Sequence, residues 1–202
     1  MTTFPGPIGG IFVTKTGDIY VSDADNHVIR KIFASNPKVM TTVAGTVGVA
    51  GYSGDGEQAT KAKLNVPRGI FVDEEHNTLY FADSENNRIR MVNKDGVIST
   101  IAGTGKQDTV INGELALNTP LSTPRRLTVH KESGEIYFLD FDNFIYKIGS
   151  DGRVVRVAGT GSIWGEPVEG EPAIRCSISP SYVALNKDGQ VLFELESTNR
   201  DC

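Results

Sequence analysis

The sequence repeats itself with a period of about 57 residues, and this restricts the possible folds more than any other feature. Three patterns recur in step: an apolar triplet, an apolar stretch ending in aspartate, and Ala-Gly-Thr. All three keep nearly the same spacing from one copy to the next. A fixed period indicates a repeat architecture, in which each unit buries its apolar face against the next. The triplets are Ile11–Val13, Ile70–Val72, Leu127–Val129 and Val183–Leu185; the acid-terminated stretches are Ile19–Asp23, Leu79–Asp83 and Ile136–Asp140; the Ala-Gly-Thr copies are Ala44–Thr46, Ala102–Thr104 and Ala158–Thr160.

The segments between these units repeat as well. A Gly-Glu pair, and an alanine that follows it closely, recur with the same period, and each segment ends in a proline. These connectors of about 20 residues are therefore part of the repeat and not arbitrary insertions. The shared positions are Gly56-Glu57, Gly113-Glu114 and Gly170-Glu171; Ala59, Ala116 and Ala173; and Pro67, Pro124 and Pro180.

The second unit shows what each repeat contains. Its pattern predicts four short strands at residues 70–72, 79–81, 88–92 and 97–102, because these runs are rich in β-branched and aromatic residues. Turn-forming stretches separate them, and Asp95-Gly96 is a strong hairpin signal because glycine adopts positive φ readily. No amphipathic helix is convincing, although residues 58–64 are compatible with one or two helical turns. Four antiparallel strands per unit predict the blades of an all-β propeller, with a solenoid of hairpins as the alternative.

The second unit and the connector before it resemble the long-period NHL repeat. The resemblance is carried by Gly51–Gly56, Gly69–Asp73, Leu79–Asp83, Arg88–Arg90 and Thr100–Gly105. It extends over nearly the whole chain, and the first unit shares it through residues 23–32. The third unit departs from it, because residues 143–147 replace the basic pattern and the turn is one residue shorter. The fourth unit has Leu195 where the acid is expected.

The resemblance implies an NHL-type β-propeller made of about three to four four-stranded antiparallel blades in an incomplete ring. Members of the family commonly close as six blades, which at this period takes about 340 residues. The chain is therefore expected to be a piece of a longer ring, or a half-ring that associates with a second copy through its open apolar blade faces. The predicted units span residues 7–46, 67–104, 124–160 and 180–202, and the connectors span residues 47–66, 105–123 and 161–179.

Composition narrows the classes of partner. The 202 residues carry a net charge of −5, whereas a phosphate-binding surface usually has a basic excess, so we do not expect nucleic acid to bind. No run reaches the ~18 apolar residues of a membrane helix, and we expect no membrane insertion. Two cysteines, Cys176 and Cys202, are too few for a disulfide scaffold, and their state is not predicted. The sequence predicts no compartment.

An aspartate ends the second strand of the first three units, at Asp23, Asp83 and Asp140. We interpret these acids as structural, because aspartate accepts backbone hydrogen bonds and fixes the turn that follows. The alternative is a ring of carboxylates that holds a cation on the propeller axis. Leu195 interrupts such a ring, and no dense EF-hand-type loop supports calcium.

The three histidines bear on whether the protein is an enzyme. His27, His76 and His130 occupy different positions within their units, so they are not expected to converge on a metal. Some relatives of the fold, including amidating lyases and lactonases, use metals in the central channel. A metal-dependent hydrolase or lyase with its site in the channel is therefore the alternative function. We predict no catalytic residue, no metal site and no cofactor.

Basic residues cluster on the predicted third strands, at Arg30, Lys31, Arg88, Arg90 and Lys147. Some NHL domains bind RNA through a basic face, which makes RNA binding a second alternative. We interpret these residues as packing groups, with aliphatic stems that cover neighbouring blades and charged ends that reach water.

The connectors vary in detail on a shared scaffold. Tyr52, Asp55, Trp164 and Glu166 lie in them and are the candidate contacts with a partner. Large aromatic residues on loops are over-represented at interaction hot spots, and loops fixed on a rigid disc lose less entropy on binding. The sequence therefore predicts a non-enzymatic recognition or scaffold module that binds a protein or other ligand through rim loops.

Overall fold

Four antiparallel sheets follow one another along the chain in the computed structural model, which describes residues 8–162, 169–186 and 188–195. Within this described part, three sheets have four strands and the last has two; we call them blades 1 to 4. Strands in a blade pair in chain order, so successive strands are joined by short turns. Blade 1 contains β1 (Ile8–Val13), β2 (Ile19–Asp23), β3 (Val28–Phe33) and β4 (Asn36–Ala44); blade 2 contains β5 (Pro67–Asp73), β6 (Thr78–Asp83), β7 (Arg88–Val92) and β8 (Ile98–Ala102); blade 3 contains β9 (Arg126–Val129), β10 (Ile136–Leu139), β11 (Ile145–Ile148) and β12 (Val154–Ala158); blade 4 contains β13 (Pro180–Leu185) and β14 (Val191–Leu195).

The predicted all-β class and the four-stranded antiparallel blades are confirmed. In blade 2 the first two strands extend beyond their apolar triplets, to Pro67–Asp73 and Thr78–Asp83. Between residues 58 and 64 the chain forms one turn of 3₁₀ helix, Ala59–Lys61. Similar single turns occur at Ser84–Asn86 and Ala173–Arg175.

The first strand of every blade lies at the centre. β5 packs against β1 and β9, and β9 packs against β13. Residues from the first strands of all four blades line one cavity of about 250 Å³. The Arg126 guanidinium of blade 3 donates a hydrogen bond to the Gly9 carbonyl of blade 1. The blades therefore lean on one another around a shared hub.

Glycine makes this close approach possible. The Gly69 N–H donates a hydrogen bond of 2.8 Å to the Arg125 carbonyl in the next blade. A Cβ atom on Gly69 would lie 2.6 Å from the Arg126 Cα, and one on Gly10 would lie 2.6 Å from the Arg68 carbonyl oxygen. Successive inner strands thus touch through their backbones, and these positions exclude any side chain.

The hydrophobic core lies between the blades. Each interface combines strand residues of two blades with apolar connector residues, and one of these recurs at the same point of the repeat: Leu64, Leu121 or Ile178. All three connector residues are buried, which explains why an apolar residue recurs at this point of the repeat. Phe81 and Phe138 are completely buried in the interfaces between blades 1 and 2 and between blades 2 and 3, respectively.

The connectors fasten consecutive blades together. The Ala59 carbonyl accepts a hydrogen bond from the Gly45 N–H at the end of blade 1. The Ala59 N–H donates to the Gly96 carbonyl, in the turn before the outer strand of blade 2. Ala116 repeats both bonds, with Gly103 and Gly152. The connector also covers the outer edge of the next blade, which would otherwise expose unpaired backbone groups.

Blade 1 exposes an apolar face, since Ile11 and Val13 are 62% and 58% exposed. As an isolated chain, the protein is expected to self-associate through this face. Ile11→Glu is expected to weaken that association about tenfold, the effect of ~1.4 kcal/mol of lost apolar contact. Analytical ultracentrifugation over a range of concentrations measures this. Val47→Glu, at an exposed connector valine, is the control, and equal behaviour of the two variants contradicts the prediction.

Candidate partner-binding site

Tyr52 and Asp55, two of the predicted contact residues, lie together against blade 2. The Tyr52 hydroxyl donates a hydrogen bond of 2.8 Å to Asp55 Oδ2 and lies 3.1 Å from Thr100 Oγ1. Arg88 and Arg90 project from the same side of β7 because they are two residues apart on a strand. Their guanidinium carbons lie 3.6 and 4.9 Å from the centre of the Tyr52 ring, within the range of cation–π contacts. The tyrosine nonetheless remains accessible to a partner, since Tyr52 is 42% exposed.

Arg90 connects this pair to the interior. Its Nη2 lies 2.8 Å from Asp55 Oδ1, and its Nη1 lies 3.1 Å from Asp83 Oδ2. A third hydrogen bond, of 3.1 Å, runs to the Ser53 carbonyl. The Arg90 side chain is completely buried, so the interpretation that the third-strand arginines extend their charged ends into water is wrong for this residue. Two carboxylates compensate the buried charge instead.

The carboxylates of this network are ionised at neutral pH. Burial raises the pKa of Asp83 to about 6, while N–H donors from Asn65 and Asn86 and the Arg90 guanidinium oppose a larger rise. At Asp55, partial burial acts to raise the pKa, but hydrogen bonds from Thr100 and Tyr52 and the charge of Arg90 outweigh it and lower the pKa. Both carboxylates and the Arg90 guanidinium therefore carry their charges near neutral pH.

The predicted structural acids have different surroundings in the three blades. In blade 1, Asp23 accepts from Asn26 at 2.8 Å and pairs with Arg30 at 3.3 Å, which parallels the Asp83–Arg90 pair. In blade 3, Asp140 Oδ1 accepts the backbone N–H groups of Asp142 and Phe144 at 3.1 and 3.0 Å. Among the described residues, no cation pairs with Asp140, and burial raises its pKa to about 7.

Asp140→Asn is therefore expected to stabilise the protein above pH 7, by about 1 kcal/mol or more. The folded-state pKa of Asp140, about 7, lies above the ordinary value of 3.8, so the folded state binds the proton more tightly and stability falls as pH rises between these values. Asparagine buries no charge, and its Oδ1 can accept the same two N–H groups. The gain should be largest above pH 7 and should vanish towards pH 4.

Urea unfolding at pH 5 and pH 8 measures this difference. The control is Asp23→Asn, which removes the charge that compensates Arg30 and should destabilise the protein at both pH values. A loss of stability in Asp140→Asn at pH 8 would show that the Asp140 carboxylate is needed in its charged form.

Not every predicted contact residue lies in the described part of the chain. Trp164, Glu166 and Cys202 lie outside the described residues. Cys176 is a free thiol. In the described ranges no group of three His, Cys, Asp or Glu residues is arranged to hold a metal, and no helical turn has the length and hydropathy of a membrane span.

The histidines lie apart and have separate partners. His27 Nδ1 accepts the Val66 N–H at 3.2 Å, His76 pairs with Asp73 at 2.7 Å, and His130 contacts Ser133. His27 occupies a left-handed turn (φ 57°) that Asn87 occupies in the next blade (φ 51°).

The network of Arg88, Arg90 and Thr100 beneath Tyr52 was missed by reasoning from the sequence. One signal was available, because the Arg-Ile-Arg alternation places both arginines on one side of a strand. The remaining information, that connector 47–66 returns over blade 2, comes only from the tertiary structure.

A family model places the chain among known proteins: the model described as the Teneurin NHL domain matches residues 48–193. The chain belongs to the teneurin NHL domain family. The predicted membership of the NHL-repeat propellers is thereby confirmed. Teneurin-m of Drosophila melanogaster is 33% identical to this teneurin-family chain over 159 residues, covering 71% of the chain and 6% of that protein. Teneurin-1 of Gallus gallus is 31% identical over 159 residues, covering 74% and 6%. The chain thus spans a small fraction of the length of the teneurins that it matches.

Solved structures share the fold of this teneurin-family domain. A Bacteroides thetaiotaomicron protein, described as being of unknown function, has a TM-score of 0.70 at 20% identity, covering 94% of the chain and 45% of that structure. Virginiamycin B lyase from Staphylococcus aureus has a TM-score of 0.54 at 18% identity, covering 92% and 48%. At these identities the likeness concerns the fold alone.

Proposed function

We propose that the chain is a non-enzymatic recognition module that binds a protein partner through its connectors, with Tyr52 and Asp55 in the contact. The observation that supports this most is the fixed geometry of that pair. Arg90 and Arg88 hold the two side chains from beneath, while Tyr52 remains 42% exposed. A half-exposed aromatic ring that is already ordered loses little entropy when a partner packs on it.

Membership of the teneurin NHL domain family supports a role in protein interaction and not in catalysis. The local charges favour the same class of ligand. Arg88 and Arg90 are occupied by Tyr52, by carboxylates and by backbone carbonyls, so they present little free positive charge to a phosphate chain. A protein surface with apolar and hydrogen-bonding groups suits the exposed edge of Tyr52 better.

The test selects ligands from a library of displayed peptides on the immobilised full chain. Selected peptides are expected to bind Tyr52→Ala at least about tenfold more weakly than the unmodified chain, as for the loss of one hot-spot aromatic residue. Tyr182→Ala, at a tyrosine of similar exposure on blade 4, is the matched control and should bind normally. Circular dichroism checks that both variants are folded. The proposal fails if no peptide is selected, or if the selected peptides bind Tyr52→Ala as tightly as the unmodified chain.

A further inference from the structure

Blade 3 carries the same backbone arrangement as the Tyr52 site but different side chains. Thr109 and Asn112 stand one full repeat after Tyr52 and Asp55. Tyr146 replaces Arg90 on the third strand, and Phe144, which immediately precedes that strand, replaces Arg88. On the fourth strand, Arg156 replaces Thr100, since Tyr146 pairs with Arg156 as Arg90 pairs with Thr100.

These exchanges leave an open pocket in blade 3, at the position that the Tyr52 ring fills in blade 2. A threonine at position 109 cannot cover the third strand as Tyr52 does, and a cavity of about 290 Å³ lies between Phe144, Tyr146, Val110, Ile174 and Arg156. Ligand pockets start at roughly 300 Å³, so this volume suits one large side chain better than a cofactor.

The floor of this blade 3 pocket is aromatic and closely packed. Tyr146 is only 2% exposed and stacks on Phe138, with ring centres 5.4 Å apart. Phe144 lies tilted against Tyr146 at 5.7 Å. The partly buried Phe144 ring, which Tyr146 supports from behind, is therefore available to an incoming aromatic ring.

A positive charge lies at the side of the pocket. The Arg156 guanidinium carbon is 5.4 Å from the centre of the Phe144 ring. Arg90 has two carboxylate partners in blade 2, whereas Arg156 forms no salt bridge with any described residue. The pocket therefore combines an aromatic floor with a guanidinium that can donate hydrogen bonds to a carboxylate from outside.

We propose that this pocket binds a protein segment that presents an aromatic side chain with a carboxylate three residues later, the Tyr-x-x-Asp chemistry that residues 52–55 supply to blade 2 within the chain. This inference rests on the proposed recognition function and adds the site and the class of ligand. A nucleotide could also offer a ring and an anion. The peptide is favoured because the chain's own connector already fills the equivalent position of blade 2 with a tyrosine and an aspartate.

The test uses a synthetic peptide with the sequence of residues 50–56, blocked at both ends, titrated into the ¹⁵N-labelled full chain. NMR shifts should change at residues 109–112, 144–146 and 156, with a Kd on the order of 1 mM, as expected for a small contact. A peptide with alanine in place of its tyrosine should not bind. A peptide with asparagine in place of its aspartate should bind the unmodified chain about tenfold more weakly than the original peptide does. The Arg156→Gln variant should bind the two peptides equally weakly.

Two variants separate pocket binding from surface adhesion. Thr109→Tyr should fill the pocket from within, leave stability unchanged or raised, and abolish the shifts. Gln107→Tyr adds the same ring at an exposed position of the same connector and should bind normally.

Three results would overturn the inference: no shifts in the unmodified chain, shifts that survive Thr109→Tyr, or tighter binding of an oligouridylate at the same residues. If the binding of displayed peptides depends on Tyr52 but the synthetic peptide does not change the NMR shifts of blade 3, the pocket inference fails and the proposed recognition function stands. If no displayed peptide is selected at all, the recognition function fails with it.

Discussion

Replacing Arg90 with methionine is expected to lower the free energy of unfolding by about 3–5 kcal/mol, the usual cost of breaking a buried ion pair from one side. Methionine keeps much of the length of the side chain, so the main loss is electrostatic. Asp83, which is completely buried, would then lie without its cation. The loss should be greater at pH 8 than at pH 5, because burial already raises the pKa of Asp83 to about 6 and protonation removes the uncompensated charge.

Urea unfolding followed by circular dichroism measures this loss, and two further variants define its cause. Arg30→Met changes the equivalent residue of blade 1, whose side chain keeps 15% exposure, and should cost about 1 kcal/mol. Adding Asp83→Asn to Arg90→Met should recover part of the stability, because it removes the orphaned charge. Equal losses for the two arginine variants, or no recovery in the double variant, would mean that Arg90 acts through packing alone.

The blade pattern was predictable because it depends on local chemistry that recurs. Apolar triplets, the acids Asp23, Asp83 and Asp140, and turn glycines each act within a few residues, so the regular repeat exposes them in the sequence. The recurrence of Ala59 and Ala116 was visible too. Their role, in which one residue joins two blades through its N–H and its carbonyl, became visible only in the fold.

The candidate site was only partly predictable. Tyr52 and Asp55 stood out as connector residues, but the burial of Arg90 depends on a connector that returns 35 residues away in sequence to supply Asp55. His27 and Asn87 share a left-handed turn although their side chains differ, and no chemical similarity indicates this. The blade 3 pocket was hidden for the opposite reason, because it arises from the small side chain of Thr109 and not from a recognisable group.

One backbone therefore holds three different networks. In each of the first three blades, the acid at or just after the end of the second strand lies near a residue of the third strand: Asp23 near Arg30, Asp83 near Arg90, and Asp140 near Tyr146. The first two are ion pairs, whereas the third is a buried carboxyl beside an aromatic ring. Since strand pairing is largely unchanged, such exchanges alter the interactions beneath the connectors without altering the fold.

Gly69→Ala is expected to destabilise the protein by about 3 kcal/mol, at the upper end of the cost of overpacking. The added methyl group would lie 2.6 Å from the Arg126 Cα and 2.7 Å from the Arg125 carbonyl oxygen. Both are backbone atoms of the next blade, so no side-chain rotation relieves the clash. Blades 2 and 3 would have to separate at the hub, which also weakens the hydrogen bond from the Gly69 N–H to Arg125.

Gly149→Ala is the matched control, because its new methyl group would meet only the Asp151 carboxylate at 2.7 Å, and that side chain can rotate away. It should cost less than about 1 kcal/mol. The contrast separates two explanations of stability in this fold, since urea unfolding reports both variants on the same scale. If the blades were held mainly by their apolar interfaces and connectors, the two alanine variants would lose similar amounts. A much larger loss at Gly69 would show that direct backbone contact between inner strands is what fixes neighbouring blades around the hub.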